Sequence, residues 1–133
     1  MEDIYEATTR GLVVRVRPSF LEAQSDPAAR RWVWAYAVEI ENTGGETVQL
    51  ISRHWIITDA WGREEEVRGP GVVGEQPTIK PGEKYAYASG CPLSTSSGSM
   101  VGTYQMVSDA EEAFDIAIPH FSLDTPSARR TVN

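Results

Sequence analysis

The sequence has little cysteine, no long apolar run and few basic residues, and each shortage excludes a class of protein. Among its 133 residues Cys91 is the single cysteine, so no disulfide can form within the chain, which fits a reducing compartment. No apolar run approaches the roughly 18 residues of a membrane span. Residues 1–6 are acidic and lack the apolar core of a signal peptide. We therefore expect a cytoplasmic protein with no membrane partner.

Basic residues are outnumbered, 12 against 19 acidic ones, which gives a formal net charge of −7. Proteins that bind nucleic acid need a basic face, so we expect no nucleic-acid partner. The acidic excess is uneven. Residues 39–67 hold seven carboxylates against two arginines, whereas residues 68–108 hold two carboxylates against three basic residues. An anion would therefore meet the least repulsion in the second stretch.

Helical periodicity is also missing, and apolar residues instead alternate with polar ones at period two. The alternation is clearest at residues 32–41 and predicts further strands at residues 12–20, 48–58, 63–68, 84–89, 100–107 and 114–118. The chain has the length of one domain. About seven short strands predict an all-β fold, a β-sandwich of the fibronectin type III or immunoglobulin-like kind.

Turn signals indicate how the strands connect. Pro18 suggests that the first strand lies near a sheet edge, because proline cannot donate a ladder hydrogen bond. Residues 42–46 (NTGGE) predict a hairpin between the strands on either side. The charged residues 63–68 suit an exposed edge. Residues 90–99, rich in Gly, Pro, Ser and Thr, predict a loop.

The domain is predicted to span residues 11–123. Residues 1–10 show no sustained period and predict a loose N-terminal segment. Residues 124–133 are polar and predict a mobile C-terminal tail.

The most conspicuous motif is G-x-G-x-x-G at residues 69–74 (GPGVVG). In a dinucleotide-binding fold this motif follows a strand and opens a helix whose N-terminus meets a pyrophosphate. Here Pro77 and Pro81 follow too closely for a helix to continue, which excludes a Rossmann site. The motif is therefore a glycine loop that leads into an extended segment.

Two hypotheses remain for this loop. In the commoner case, Gly69, Gly71 and Gly74 serve the fold by supplying positive-φ turns and a close backbone approach between the sheets. In the other, main-chain N–H groups form a nest that binds phosphate, pyrophosphate or a nucleotide such as a dinucleoside polyphosphate, helped by Arg68 and Lys80.

Residues that could ligate a metal are few and scattered. His54 lies in a predicted strand with Arg53 and Trp55 on the opposite face, and the other soft ligands are His120 and Cys91. No C-x-x-C or H-x-x-x-H spacing is present, so we predict no metal site and no cofactor, with His54 and His120 as the only candidate ligands to follow. A histidine hydrogen-bonded to a backbone carbonyl is the commoner outcome.

Catalytic motifs are missing, and one aromatic residue suggests a contact surface. Residues 98–102 (GSMVG) place Met100 where a G-x-S-x-G elbow has its serine. Cys91, in the predicted loop, has no adjacent histidine to activate it. Most aromatic residues follow the strand alternation and predict core. Trp61, at a turn beside Gly62, is the aromatic residue expected to be exposed and to mark a partner surface.

Several linked motifs resemble those of the bacterial ApaG family. They are residues 53–59 (RHWIITD), 69–77 (GPGVVGEQP), 81–83 (PGE), 87–90 (YASG), 98–106 (GSMVGTYQM) and 118–121 (IPHF). The resemblance extends from about residue 11 to residue 123. A glycine expected shortly before Phe114 is absent, which affects only a turn.

The resemblance implies a fibronectin type III-like β-sandwich without established catalysis and an association with cobalt resistance and magnesium efflux. Related domains in eukaryotic proteins look like protein-binding modules. We therefore expect a non-catalytic binding domain whose target is a protein partner or a second copy of the chain. The alternatives are a phosphate or nucleotide binder that uses Arg68 and the glycine loop, and a metal carrier that uses His54 or His120.

Overall fold

The computed structural model describes residues 4–125, and most of them lie in β-strands. The strands in this range are β1 (Tyr5–Thr9), β2 (Leu12–Phe20), β3 (Trp32–Asn42), β4 (Val48–Asp59), β5 (Glu64–Pro70), β6 (Thr78–Ile79), β7 (Lys84–Leu93), β8 (Ser97–Ser108) and β9 (Ala113–Asp124). The helical segments of the same range are two 3₁₀ turns, Glu22–Gln24 and Pro27–Ala29. Neither is long or apolar enough to cross a membrane.

The strands form two antiparallel sheets that face each other across one core. The first sheet has the order β1-β2-β3-β7 and the second the order β5-β4-β8-β9, with β6 pairing with the start of β4. The prediction of an all-β sandwich is confirmed. Residues 4–125 contain nine strands instead of about seven, because β1 and the two-residue β6 carry no period long enough to be recognised.

The core follows the alternation that the sequence shows, and Trp55 lies at its centre. The ring of Trp55, in the second sheet, meets that of Tyr36, in the first, at 5.3 Å between centroids. It also meets Phe121 at 6.0 Å and Tyr104 at 6.4 Å, all three in edge-on geometry. Such aromatic pairs add about 0.5–1.5 kcal/mol each beyond the area they bury, so this cluster ties the two sheets together.

The predicted hairpin at residues 42–46 is wrong, because the chain crosses there from one sheet to the other. β3 pairs with β2 and β7, whereas β4 pairs with β5, β6 and β8. The buried Asn42 holds the crossing: its Nδ2 donates to the carbonyl oxygens of Glu46 at 2.7 Å and Ile79 at 2.9 Å, and its Oδ1 accepts from the Gly44 N–H at 3.0 Å. A turn signal reports a local reversal and does not identify the strand that pairs next.

Pro18 marks an edge only over part of its strand. β2 lies between β1 and β3, but β1 pairs with Leu12 through Val16 and ends there. Pro18 pairs with Tyr36 of β3 alone. The expected edge is therefore found at Pro18, in the second half of β2, whereas the first half of β2 is central in its sheet.

Two segments predicted to be irregular are strands. Residues 5–9 form β1, which corrects the expectation of a loose segment 1–10; residues 1–3 lie outside the described residues. Within the predicted loop 90–99, β7 continues to Leu93 and β8 begins at Ser97, so the loop is three residues long. Most of the predicted tail, residues 126–133, lies outside the described residues, and Asp124 closes β9.

Gly102 allows β8 to approach β4 closely, and its replacement is expected to destabilise the sandwich. A Cβ there would overlap the carbonyl oxygen of His54. We expect Gly102→Ala to cost about 1–3 kcal/mol of unfolding free energy and to lower Tm by several degrees. Gly45→Ala is the matched control, because a Cβ at Gly45 meets no atom within 4 Å. Thermal unfolding measures both, and equal Tm values for the two variants would contradict the close approach.

Candidate functional site

The glycine loop after β5 is a tight main-chain turn. Gly71 has φ +60° and Gly74 φ +82°, and the residue between them with a positive φ is Val73, at +43°. The Val72 N–H donates to the Glu75 oxygen at 2.8 Å, and the Glu75 N–H donates back to Val72 at 2.9 Å. Positive-φ turns are therefore confirmed at Gly71 and Gly74. The close backbone approach lies within the loop, because a Cβ at Gly71 would overlap the Glu75 oxygen, and not between the sheets.

Gly69 has a different role: because it lacks a side chain, it leaves room for the guanidinium of Arg53. A Cβ at Gly69 would lie 3.0 Å from both terminal nitrogens of the Arg53 guanidinium. Nη1 of Arg53 donates to the carbonyl oxygens of Pro70 at 3.0 Å and Gly71 at 2.9 Å. The loop thus turns carbonyl oxygens towards a cation of its own chain. This role of Arg53 leaves no signal in the local sequence, because the contact joins it to a glycine on a neighbouring strand.

A β-bulge in β4 brings Arg53 to this position. Leu50 is fully buried, so strict alternation would turn Ser52 and His54 inward. The register between β4 and β8 shifts between Leu50 and Ser52. Beyond the shift Trp55 is buried, and Arg53 and Trp55 share the inner side opposite His54, as the sequence predicts. Bulges commonly redirect side chains in this way.

Several main-chain N–H groups of the glycine loop already have partners. The Gly71 N–H donates to the Ile51 oxygen at 2.8 Å. The Val72 N–H donates to the Glu75 carbonyl oxygen, and the Glu75 N–H donates to the Val72 carbonyl oxygen. A phosphate nest needs N–H groups that converge on a free space. Three donors of the stretch are engaged within the fold, so an anion at this place would depend mainly on side chains.

His54 and Arg68 lie side by side on the outer face of the second sheet. Nε2 of His54 lies 2.7 Å from Oε1 of Glu66, and Nη2 of Arg68 lies 3.4 Å from the same oxygen. The hydrogen bond from His54, followed by that from Arg68, lowers the pKa of Glu66. His54 is thus half-buried, and its hydrogen-bond partner is the carboxylate of Glu66 instead of the expected backbone carbonyl. His54, Arg68 and Arg53 line a shallow groove of 630 Å³.

The other candidate metal ligands do not join His54. His120 is exposed on β9. Cys91 is buried in β7, which corrects its expected place in a loop. Burial raises the pKa of the Cys91 thiol to about 11, so the thiolate is disfavoured. Within residues 4–125 no three His, Cys, Asp or Glu side chains are arranged to hold a metal ion.

Trp61 is exposed, as the sequence predicts, and its turn is well ordered by hydrogen bonds. The side chain is 68% exposed. Oδ1 of Asp59 accepts from the N–H groups of Trp61 and Arg63, both at 2.9 Å, and Oδ2 accepts from Nε of Arg63 at 2.7 Å. The Arg63 guanidinium lies 4.7 Å from the centre of the Trp61 ring. A large apolar surface is therefore presented to solvent in a defined place.

Trp61 is one of two exposed apolar side chains that bracket β5. The other is Val73, 58% exposed, which follows β5 at the same sequence distance at which Trp61 precedes it. β5 is the outermost strand of the second sheet, as its charge predicts. This side of the sandwich therefore combines the outer edge of β5, which pairs with no other strand, with an apolar side chain at each end of β5.

A cleft separates β5 from β7, the outermost strand of the first sheet. It has a volume of 240 Å³ and reaches from Glu65 and Val67 of β5 to residues 89–92 of β7. Its inner wall contains side chains of both sheets, namely Tyr36, Arg53, Trp55, Ile57 and Met100. The chain thus offers three neighbouring features: the β5 edge, the glycine loop at its end, and the cleft beside it.

Comparison with known proteins agrees with the resemblance in the sequence motifs. The profile of the ApaG domain matches residues 22–108. Protein ApaG of Mesorhizobium japonicum is 60% identical over 130 residues, which cover 98% of this chain and 100% of that protein. Protein ApaG of Brucella anthropi is 58% identical over the same length, again covering 98% of this chain and 100% of the relative.

Solved structures agree with the fold. The crystal structure of a protein described as ApaA, from Bordetella pertussis, aligns with a TM-score of 0.84 at 50% identity and covers 86% of this chain and 94% of that one. The C-terminal domain of wzt aligns with a TM-score of 0.52 at 8% identity, over 92% of this chain and 77% of that one, and shares the fold alone.

Gly71 and Gly74 are expected to differ in their tolerance of a side chain. Gly71→Ala combines a positive φ with an overlap on the Glu75 oxygen, whereas a Cβ at Gly74 meets no atom within 4 Å. We expect Gly74→Ala to cost about 1–2 kcal/mol from its φ alone, and Gly71→Ala to cost clearly more. Urea unfolding measures both free energies. If the two variants were equally stable, the packing of the turn described above would be incorrect.

Proposed function

The chain belongs to the ApaG domain family, and on that premise we propose that it is a small non-catalytic binding domain that takes up an extended segment of a protein partner along β5. One observation carries the proposal. The outer edge of β5 pairs with no other strand, and an exposed apolar side chain lies at each end of it, Trp61 at one and Val73 at the other. Tryptophan is enriched among the residues that dominate binding energy at protein interfaces.

An edge strand supplies main-chain donors and acceptors to which another strand can add. β5 has seven residues and is therefore about 23 Å long at roughly 3.3 Å per residue. Glu64, Glu65 and Glu66 are all exposed on it. A partner segment that carries lysine or arginine would complement these charges, whereas an acidic segment would be repelled.

A second copy of this chain would complement these charges only in part. Antiparallel pairing of β5 with itself, centred on Val67, would place Glu66 of each copy opposite Arg68 of the other. The other two glutamates would face uncharged residues of the second copy. A basic segment of a different protein would complement all three glutamates, so a homodimer through this edge is the less favoured arrangement. The association with cobalt resistance and magnesium efflux, which the family resemblance implies, would then depend on the protein bound at β5.

A comparison of the proteins that bind to the wild type, to two variants of the β5 edge and to a control variant tests this proposal. Full-length chain is immobilised, and the proteins retained from a lysate of its own source are quantified for the wild type, Trp61→Ala, Glu64→Lys and Glu22→Lys. Glu22 is exposed in a 3₁₀ turn outside the second sheet, so Glu22→Lys makes the same charge change elsewhere. We expect one specific protein to be lost about tenfold or more in the first two variants and retained in the control. Loss of a tryptophan that anchors an interface commonly costs about 2 kcal/mol, and Glu64→Lys replaces an attraction for a basic segment by a repulsion.

Equal retention by all four proteins would mean that β5 is not the partner surface. Sedimentation at high protein concentration separates the homodimer from this proposal: a dimer that dissociates in Glu64→Lys or Trp61→Ala would replace the heterologous partner by a second copy.

Phosphate or nucleotide binding is a second candidate, favoured by the arginines that line one groove beside the glycine loop. Arg68 has 71% of its side chain exposed, and Arg53 and His54 line the same 630 Å³ groove. We expect pyrophosphate to shift the amide signals of residues 68–76, to bind more weakly as salt rises, and to lose this binding in Arg68→Ala. Arg31→Ala, at an exposed arginine directly before β3, is the control. Unmoved signals would reject the site.

A further inference from the structure

The cleft between β5 and β7 contains a cation, Arg53, that has no carboxylate oxygen within 4.0 Å among residues 4–125. Arg10, Arg15, Arg63 and Arg68 each lie within 4.0 Å of a carboxylate oxygen. Arg53 is half-buried, and within residues 4–125 its hydrogen bonds are those of Nη1 to the Pro70 and Gly71 carbonyl oxygens. A charge withdrawn from water is costly unless a counter-charge and hydrogen bonds compensate it. Neutral carbonyl groups compensate Arg53 only in part.

Trp55 lines the same cleft but presents no exposed donor to a ligand. The residue is 2% exposed and lies beside Arg53. Its indole Nε1–H makes no hydrogen bond within the part of the chain that the structure describes, but this atom is buried and does not open onto the cleft. The N–H groups of the Arg53 guanidinium that the glycine loop leaves free are therefore the donors that a ligand in this cleft can reach. A ligand that satisfies them must supply acceptors.

The rest of the wall is partly apolar. Ile57, Val67, Pro92 and Met100 line the cleft, and the Tyr36 ring packs against Trp55. The volume of 240 Å³ lies below the roughly 300–1,000 Å³ typical of sites for drug-sized ligands. A matching ligand therefore has a compact apolar body, on the order of ten non-hydrogen atoms, and one acceptor-rich end.

We propose that this inter-sheet cleft is a binding site for a small carboxylic acid with an apolar body, and that Arg53 holds the carboxylate. A carboxylate accepts hydrogen bonds from a guanidinium more strongly than neutral acceptors do and neutralises its charge. The guanidinium of Arg53 packs against Gly69, and its Nη1 donates to the carbonyl oxygens of Pro70 and Gly71. These contacts fix its position. The remaining N–H groups of the guanidinium donate hydrogen bonds to the ligand carboxylate. The site shares Glu65 with the protein-binding edge proposed above, but its proposal does not depend on that edge.

Glu65 places a negative charge beside the proposed ligand. It is an exposed residue of β5 that lines the same cleft, and it is not ion-paired with Arg53 within 4.0 Å. Its negative charge repels an anionic ligand that enters from solvent. Removing that charge should therefore strengthen ligand binding while leaving the contacts of Arg53 in place.

The test uses 3-phenylpropionate as the probe and 3-phenylpropanamide as its uncharged match in shape. Titration of the full chain is followed by NMR at the Trp55 indole N–H and the Arg53 Nε–H. We expect saturable shifts of both signals with the acid and binding at least tenfold weaker with the amide, since hydrogen bonds to charged groups are worth about that factor or more.

Variants identify the residues responsible. Arg53→Gln should abolish the preference for the acid over the amide, while Arg68→Gln, on the outer face, should retain it. Glu65→Gln should strengthen binding of the acid about two- to fivefold at low salt, as expected for loss of one exposed like charge. Because Arg53→Gln also removes the bonds to the glycine loop, Glu65→Gln provides a test that does not disturb that contact.

A second arm separates a free acid from an acidic side chain of a protein. A capped pentapeptide with a central glutamate is titrated in the same way. Shifts with the peptide and none with the free acid would overturn the small-ligand assignment. Signals that stay unmoved by the acid, equal binding of acid and amide, or an unchanged affinity in Glu65→Gln would each overturn the proposal.

Discussion

The edge-on packing of Trp55 against Tyr36 is the contact on which the rest of the structure depends. It joins the two sheets directly, and Phe121 and Tyr104 complete the same aromatic cluster. To place Trp55 inward after Leu50, β4 needs a bulge, which its shifted register with β8 provides. The same bulge turns Arg53 inward, two residues before Trp55. A packing requirement of the core thus brings a charged side chain into the space between the sheets.

Arg53 explains much of the glycine-rich segment that follows β5. Its guanidinium leaves no room for a Cβ at Gly69 and binds the carbonyl oxygens of Pro70 and Gly71. The motif that resembles a nucleotide-binding fingerprint is therefore a structure built around an internal cation. In a dinucleotide-binding loop, by contrast, N–H groups at a helix N-terminus face a bound anion. The spacing of glycines alone does not distinguish the two.

The edges of the sandwich carry the proposed binding functions. A closed barrel would have no such edges, whereas this sandwich leaves β5 and β7 outermost, with the cleft between them. Charge on β5 discourages indiscriminate strand pairing and at the same time selects for a partner of opposite charge. The cleft adds a small volume that is lined by the Arg53 guanidinium. Protein recognition and small-ligand recognition would thus occupy adjacent parts of one side of the domain.

The sequence by itself determined the all-β class, the family, the core face of β3, the charged edge at β5 and the exposure of Trp61. These follow from local alternation, from linked motifs and from turn chemistry, which residues near in sequence encode. Only the tertiary structure decided that residues 42–46 cross between sheets, that Cys91 is buried, that residues 5–9 pair as β1, and that Arg53 rests on Gly69. Strand pairing and contacts between strands join residues far apart in the chain, and period two is the same whichever strand lies alongside.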